Sequence, residues 1–244
     1  MRATSGTVEV SGSLRVTSLL TRPERARALL LLGHGAGAGM RHAFLEGLAA
    51  GLATREIATF RYQFPYTERG GHRPDPPALL LRTVVAAAAA ARAAAPRLPF
   101  FAGGKSMGGR ITSMAAADGM LPGLRGLVLV GYPLHAPGAV RSVATPAGLA
   151  GSAISAPSRA GRTPDRRAHL LREPVPMLFL QGTRDRLAGI EEMRALCAEV
   201  GSSARLFEVP EADHSFHVPA RSGRTDAEVL DDLCAAIADW VAAL

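Results

Sequence analysis

The chain has 244 residues, 48% hydrophobic and 20% charged, which suits one large domain with a substantial core and excludes general disorder. Its net charge of +7 is carried by scattered arginines, and the densest patch (Arg159, Arg162, Arg166, Arg167, Arg172) has no interleaved aromatics, which argues against a nucleic-acid partner. Cys197 and Cys234 form neither a disulfide framework nor a metal spacing and read as buried helix residues; no apolar leader opens the chain, and runs such as 84–91 are too short to span a bilayer, so a cytoplasmic protein without membrane contact is expected.

Residues 7–20 alternate polar and apolar and predict an N-terminal hairpin. Ala28 to Leu32 is a continuous apolar run, as in a strand buried on both faces. A loop of small residues follows, Gly33-His34-Gly35-Ala36-Gly37-Ala38-Gly39, and then Phe44, Leu45, Leu48, Ala49 and Leu52 at helical spacing. Ile57–Tyr62 predicts a strand, Gly70–Pro77 a loop, and Ala78–Ala95 a helix stopped by Pro96. Leu98–Gly103 predicts a strand, Met107–Asp118 a helix, and Leu124–Val130 another strand. Val175–Leu180, Ile190–Val200, Arg205–Val209 and Thr225–Leu244 complete a strand, helix, strand, helix series. Alternation of this kind predicts an α/β fold, a mostly parallel central sheet with helices on both faces, in one domain spanning 1–244. The Ala/Ser/Gly/Pro/Arg-rich stretch at about 140–165 interrupts the series as an insertion and reads as a mobile cap.

Between the fifth predicted strand and its helix lies Gly104-Lys105-Ser106-Met107-Gly108, which fits the G-x-S-x-G nucleophile elbow. The serine sits on a sharp strand-to-helix turn, and glycine on either side avoids a side-chain clash between the flanking positions. A serine hydroxyl needs a base and a group to orient that base. In this architecture those partners follow in the order Asp or Glu, then His, from loops after later strands. Asp185, in Gln181-Gly182-Thr183-Arg184-Asp185, and His214, in Asp213-His214-Ser215-Phe216, meet that rule. Taken singly, Asp185 also suits a turn or helix N-terminus, and Asp213 is a second carboxylate whose adjacency to His214 turns it away from the ring. His217, three residues after His214, does not make a metal site without further ligands.

The loop after Leu32 can supply backbone N–H donors to an oxyanion: Met107, which follows the nucleophile, is the first expected donor and Ala36 the second, with Gly37 next. Two nucleotide-binding alternatives fail on spacing. Gly35 to Gly39 lacks G-x-G-x-x-G, and Pro99 stands where a P-loop ending in Lys105-Ser106 needs its first glycine. His42, His72 and His135 sit near the expected pocket mouth, and His169 on the return from the insertion. Lys105, the only lysine in the chain, and nearby arginines point to a preference for anionic acyl groups.

These segments, with Phe60-Arg61-Tyr62-Gln63-Phe64-Pro65-Tyr66, resemble the α/β-hydrolase superfamily and its dienelactone-hydrolase-like group. Within that group the likeness is to the branch that includes testis-expressed protein 30 and the third regulatory subunit of the NSL histone acetyltransferase complex. The resemblance implies a serine hydrolase acting on a small-molecule acyl substrate, with Ser106 as nucleophile, His214 as base and Asp185 as orienting acid, and no cofactor. The rival expectation is a scaffold that keeps the fold, or an acyltransferase or peptidase using the same serine.

Overall fold

The computed structural model describes residues 3–136 and 165–244. Among them, eight strands form one sheet in the order β1-β2-β4-β3-β5-β6-β7-β8. β1 (Thr4–Ser11) and β2 (Leu14–Thr21) make the expected hairpin, beginning a few residues earlier than the alternation indicates. β2 lies antiparallel to β4 (Ile57–Tyr62). β3 (Ala28–Gly33), β4, β5 (Phe100–Lys105), β6 (Leu124–Val130), β7 (Met177–Gly182) and β8 (Ala204–Val209) pair in parallel.

The apolar runs are continuous because each strand feeds two cores. Successive side chains of a strand point to opposite faces. In β3, Leu29 and Leu31 pack with Leu80 and Val84 of α3 (Pro77–Ala94) and Ile111 of α4 (Met107–Ala117). Met193 and Leu196 of α5 (Ile190–Val200) join the same cluster. Leu30 and Leu32 pack on the other side, with Leu45, Leu48 and Leu52 of α1 (Ala43–Ala53) and Leu233, Ile237 and Trp240 of α6 (Asp226–Ala242). These four leucines are fully buried, each stabilising the fold by about 1.5–3 kcal/mol. α6 starts at a capping box, in which the Thr225 hydroxyl accepts from the Glu228 N–H (3.2 Å) and the Glu228 carboxylate accepts from the Thr225 N–H (2.7 Å). By length and composition α3 alone, among the described helices, is apolar enough to cross a membrane. Here its Leu80, Val84, Ala87, Ala88 and Ala91 face lies in the core.

Two strands end later than their apolar runs. β5 continues past Gly103, its expected last residue, through Gly104 to Lys105. Gly103 pairs with Leu32 and Val128, and Gly104 with Gly33 and Leu129. A Cβ on Gly103 would stand 1.8 Å from the Val128 carbonyl oxygen, so only glycine fits. β7 begins at Met177, because Pro176 offers only its carbonyl, to the Leu127 N–H (2.9 Å), and it runs on to Gly182. α2 (Pro65–Glu68), a single turn with Pro65 in its first position after extended Phe64, carries no apolar periodicity and was not expected. Apart from Asp165, the 140–165 stretch read as a cap lies outside the described residues.

The consequence is a ring of loops beyond the C-terminal ends of β3, β5, β7 and β8. Gly103→Ala should force β5 and β6 apart and lower stability by about 1–3 kcal/mol, a fall of several degrees in melting temperature by differential scanning calorimetry. An unchanged melting temperature would contradict the close approach.

Candidate active site

Ser106 lies between β5 and α4 with φ +51° and ψ −116°, a conformation that costs a non-glycine residue roughly 1–3 kcal/mol. Its N–H still donates to the Val130 carbonyl (2.9 Å), and its own carbonyl accepts from Arg110 (3.1 Å), so strand and helix both hold the turn. The flanking glycines are needed for a different contact than expected. A Cβ on Gly104 would meet the Gly33 oxygen at 2.3 Å, and one on Gly108 the Gly33 carbon and oxygen at 2.3 Å. The elbow is therefore pressed against the end of β3, the strand that leads into the small-residue loop.

The structure brings Ser106, His214 and Asp185 together. Ser106 Oγ is 3.0 Å from His214 Nε2, and His214 Nδ1 is 2.7 Å from Asp185 Oδ2. The Asp185 side chain is fully buried. Besides the imidazole it accepts from Gln181 Nε2 (2.7 Å) and from the Leu187 N–H (2.7 Å). With Nδ1–H donating to this carboxylate, Nε2 is left as the acceptor facing the serine hydroxyl. Asp213 turns away, as its adjacency implies: its Oδ1 accepts from the N–H groups of Ser215 (2.7 Å) and His217 (3.0 Å) and so shapes the turn that presents His214. His217 itself pairs with Asp226 (2.9 Å) at the surface.

The loop after β3 is fastened by side chains of two segments that carry the family resemblance but were assigned no role from the sequence. His34 is fully buried, its Nδ1–H donating to the Gly35 carbonyl (2.9 Å) and its Nε2 accepting from the Phe64 N–H (3.1 Å). At the far end of the loop, Gln63 Oε1 accepts from the Met40 N–H (3.0 Å) and Arg61 Nη1 donates to the Met40 carbonyl (3.1 Å). The segment Arg61-Tyr62-Gln63-Phe64 thus clamps the loop at both ends. Met107 opens α4, where an N–H has no acceptor within the helix. Ala36 and Ser106 line one cavity of about 310 Å³, with Ala38, His42, Phe44, Leu45 and Leu187 among its other walls.

Of the other histidines, only His42 lines that cavity among the described residues. His72 is exposed. His135 pairs with Glu192 (2.9 Å), and His169 Nε2 meets Ser113 Oγ (2.9 Å). Lys105 also lines that cavity, and its ammonium donates to the His214 carbonyl (2.6 Å). Both cysteine thiols are free and pushed up to about 11 by burial.

The chain matches the alpha/beta hydrolase domain family over residues 26–147 and 152–242 and belongs to it. No curated protein matches the sequence. Several solved structures share the fold at low identity. An alpha-beta serine hydrolase homologue from Coxiella burnetii is 18% identical with a TM-score of 0.71, covering 97% of this chain and 98% of that one. Dienelactone hydrolase from Anabaena variabilis is 19% identical with a TM-score of 0.69, covering 98% and 96%. The esterase domain of a Rhodothermus marinus protein is 18% identical with a TM-score of 0.69, covering 98% of each.

Burial holds the His34 imidazole down at about 4, against 6.5 in an unfolded chain. Its neutral form is therefore the folded form, and its contribution to stability is complete above pH 6.5 and is lost as pH falls toward 4. The unfolded chain takes up the proton first, so unfolding becomes easier by about 3 kcal/mol across that window from this group. Urea denaturation at pH 7 and pH 4.5 should show a smaller loss for His34→Gln than for the native chain. Equal losses would contradict a neutral, clamped His34.

Proposed function

We propose that the chain is a serine hydrolase that cleaves an ester-like acyl bond through an acyl-enzyme on Ser106. The observation that carries this reading is the unbroken run of hydrogen bonds from Ser106 to His214 to buried Asp185. His214 Nε2 takes the hydroxyl proton as Ser106 Oγ bonds to the substrate carbonyl carbon. Asp185 fixes the imidazole tautomer and stabilises the imidazolium. Triads of this kind recur on unrelated folds, and each member's role follows from its geometry rather than its place in the chain. The N–H groups of Met107 and Ala36 receive the oxyanion. The carbonyl carbon–oxygen bond then breaks, and the alcohol leaves with the proton from His214. Water, deprotonated by the same imidazole, attacks the acyl carbon; the bond from that carbon to Ser106 Oγ breaks, Oγ takes the proton back from His214, and the carboxylic acid leaves. No cofactor enters the sequence of steps.

The small, mostly apolar cavity beside Ser106 favours a compact acyl or alcohol group of a small-molecule ester. Dienelactone-hydrolase-like chemistry, and the branch containing testis-expressed protein 30, are the finer reading of the same motifs.

A fluorophosphonate probe should label Ser106 by peptide mapping, with labelling abolished in Ser106→Ala and strongly reduced in His214→Ala. Against an activated ester, Ser106→Ala should lose on the order of 10⁶ in turnover and Asp185→Asn about 10⁴. Absence of labelling in the folded native protein would favour a scaffold role instead.

A further inference from the structure

Lys105 immediately precedes the nucleophile, yet its head group reaches the loop that carries the base. Its Nζ donates to the His214 carbonyl at 2.6 Å and lies 5.4 Å from the centre of the Phe216 ring, within cation–π range. The space is closely bounded. A Cβ on Gly131 would sit 2.8 Å from Nζ, so a side chain there would evict the ammonium. Gly131 holds φ +60°, which also suits glycine. The group that fills this niche is a compact ammonium rather than a planar guanidinium. The composition agrees: among 28 basic lysine and arginine residues, lysine occurs only here.

We propose that Lys105 is a positioning residue for the proton relay: by tethering the His214 main chain to the nucleophile strand, its ammonium sets the distance from the imidazole to Ser106 Oγ. This rests on the serine-hydrolase reading above. β5 supplies both ends of the register, the nucleophile at its tip and the tether one residue earlier, so the loop after β8 is located relative to the very residue it must serve. The charged groups facing the ammonium are Asp185 from the loop after β7 and Asp213 from the loop after β8, with His214 itself beside it. Burial lowers the ammonium to about 8 despite those two carboxylates, so its charge is retained at neutral pH and lost in mild alkali.

The test compares fluorophosphonate labelling rates and ester kinetics in the native chain, in Lys105→Met, and in Lys105→Cys before and after aminoethylation with bromoethylamine, which rebuilds an ammonium of nearly the same reach. Bromoethylamine-treated native protein controls for Cys197 and Cys234. Lys105→Met should lower kcat and the labelling rate by about 10²-fold, the loss that a misplacement of about 1 Å brings, with KM little changed. Aminoethylation of the cysteine variant should restore most of that loss. Native-like rates in folded Lys105→Met, or no recovery when a slowed, folded Lys105→Cys is aminoethylated, would overturn the tether while leaving the hydrolase intact. Failure of the native chain to label at Ser106 at neutral pH would instead remove the hydrolase reading itself.

Discussion

Backbone meets backbone where the end of β3 touches the start of α4, and the site depends on that contact. Gly33 closes β3, and the positions that a Cβ would take on Gly104 and Gly108 lie 2.3 Å from its atoms. Because Gly33 leads directly into the loop carrying Ala36, and Gly108 follows Ser106 by two residues, one contact fixes Ser106 relative to that loop. The strained backbone of Ser106 is held there by parallel pairing on one side and helix on the other. Side-chain bulk at any of the three glycines would separate parts that chemistry needs together, more surely than the loss of a single hydrogen bond.

The second half of the site is assembled by a similar approach of loops. A Cβ on Gly182 would lie 2.4 Å from the Ala212 oxygen, so the end of β7 presses on the turn that presents His214. Asp185 is buried there with three hydrogen-bond donors, and a buried carboxylate is tolerable only with such partners. Gln181 helps to hold that carboxylate: it supplies a donor to the same oxygen that receives His214 Nδ1.

The layered sheet was legible from the chain because runs such as Leu29–Leu32 serve two cores at once, and that leaves an unmistakable continuous apolar signature. Strand ends were less legible. The expected strand stops at Gly103; Gly104 and Lys105 carry no apolar signal, and their strand conformation follows from how closely β3 and β6 approach. Ser106, Asp185 and His214 could be picked out since each stands after a strand, in an order that one architecture requires. His34, Arg61 and Gln63 lie in segments that carry the family resemblance, but their clamping role was not legible, because they act by side-chain bonds to backbone atoms of a distant segment, and such bonds impose no spacing on either partner. The contacts of Lys105 were not legible: its ammonium bonds the His214 carbonyl and stands over the Phe216 ring, partners more than a hundred residues away that impose no local pattern.

The central claim is that Ser106 carries the acyl group between two half-reactions. Rapid mixing of the native chain with an excess of a chromogenic acetate ester, quenched for intact mass and peptide analysis, addresses it most directly. The account predicts a burst of released alcohol approaching one equivalent per chain, with an acetyl increment of about 42 Da, as for one acyl transfer, confined to the peptide containing Ser106. Turnover without any burst or covalent increment on that peptide, or an increment on another residue that rises and decays at the rate of turnover, would contradict it.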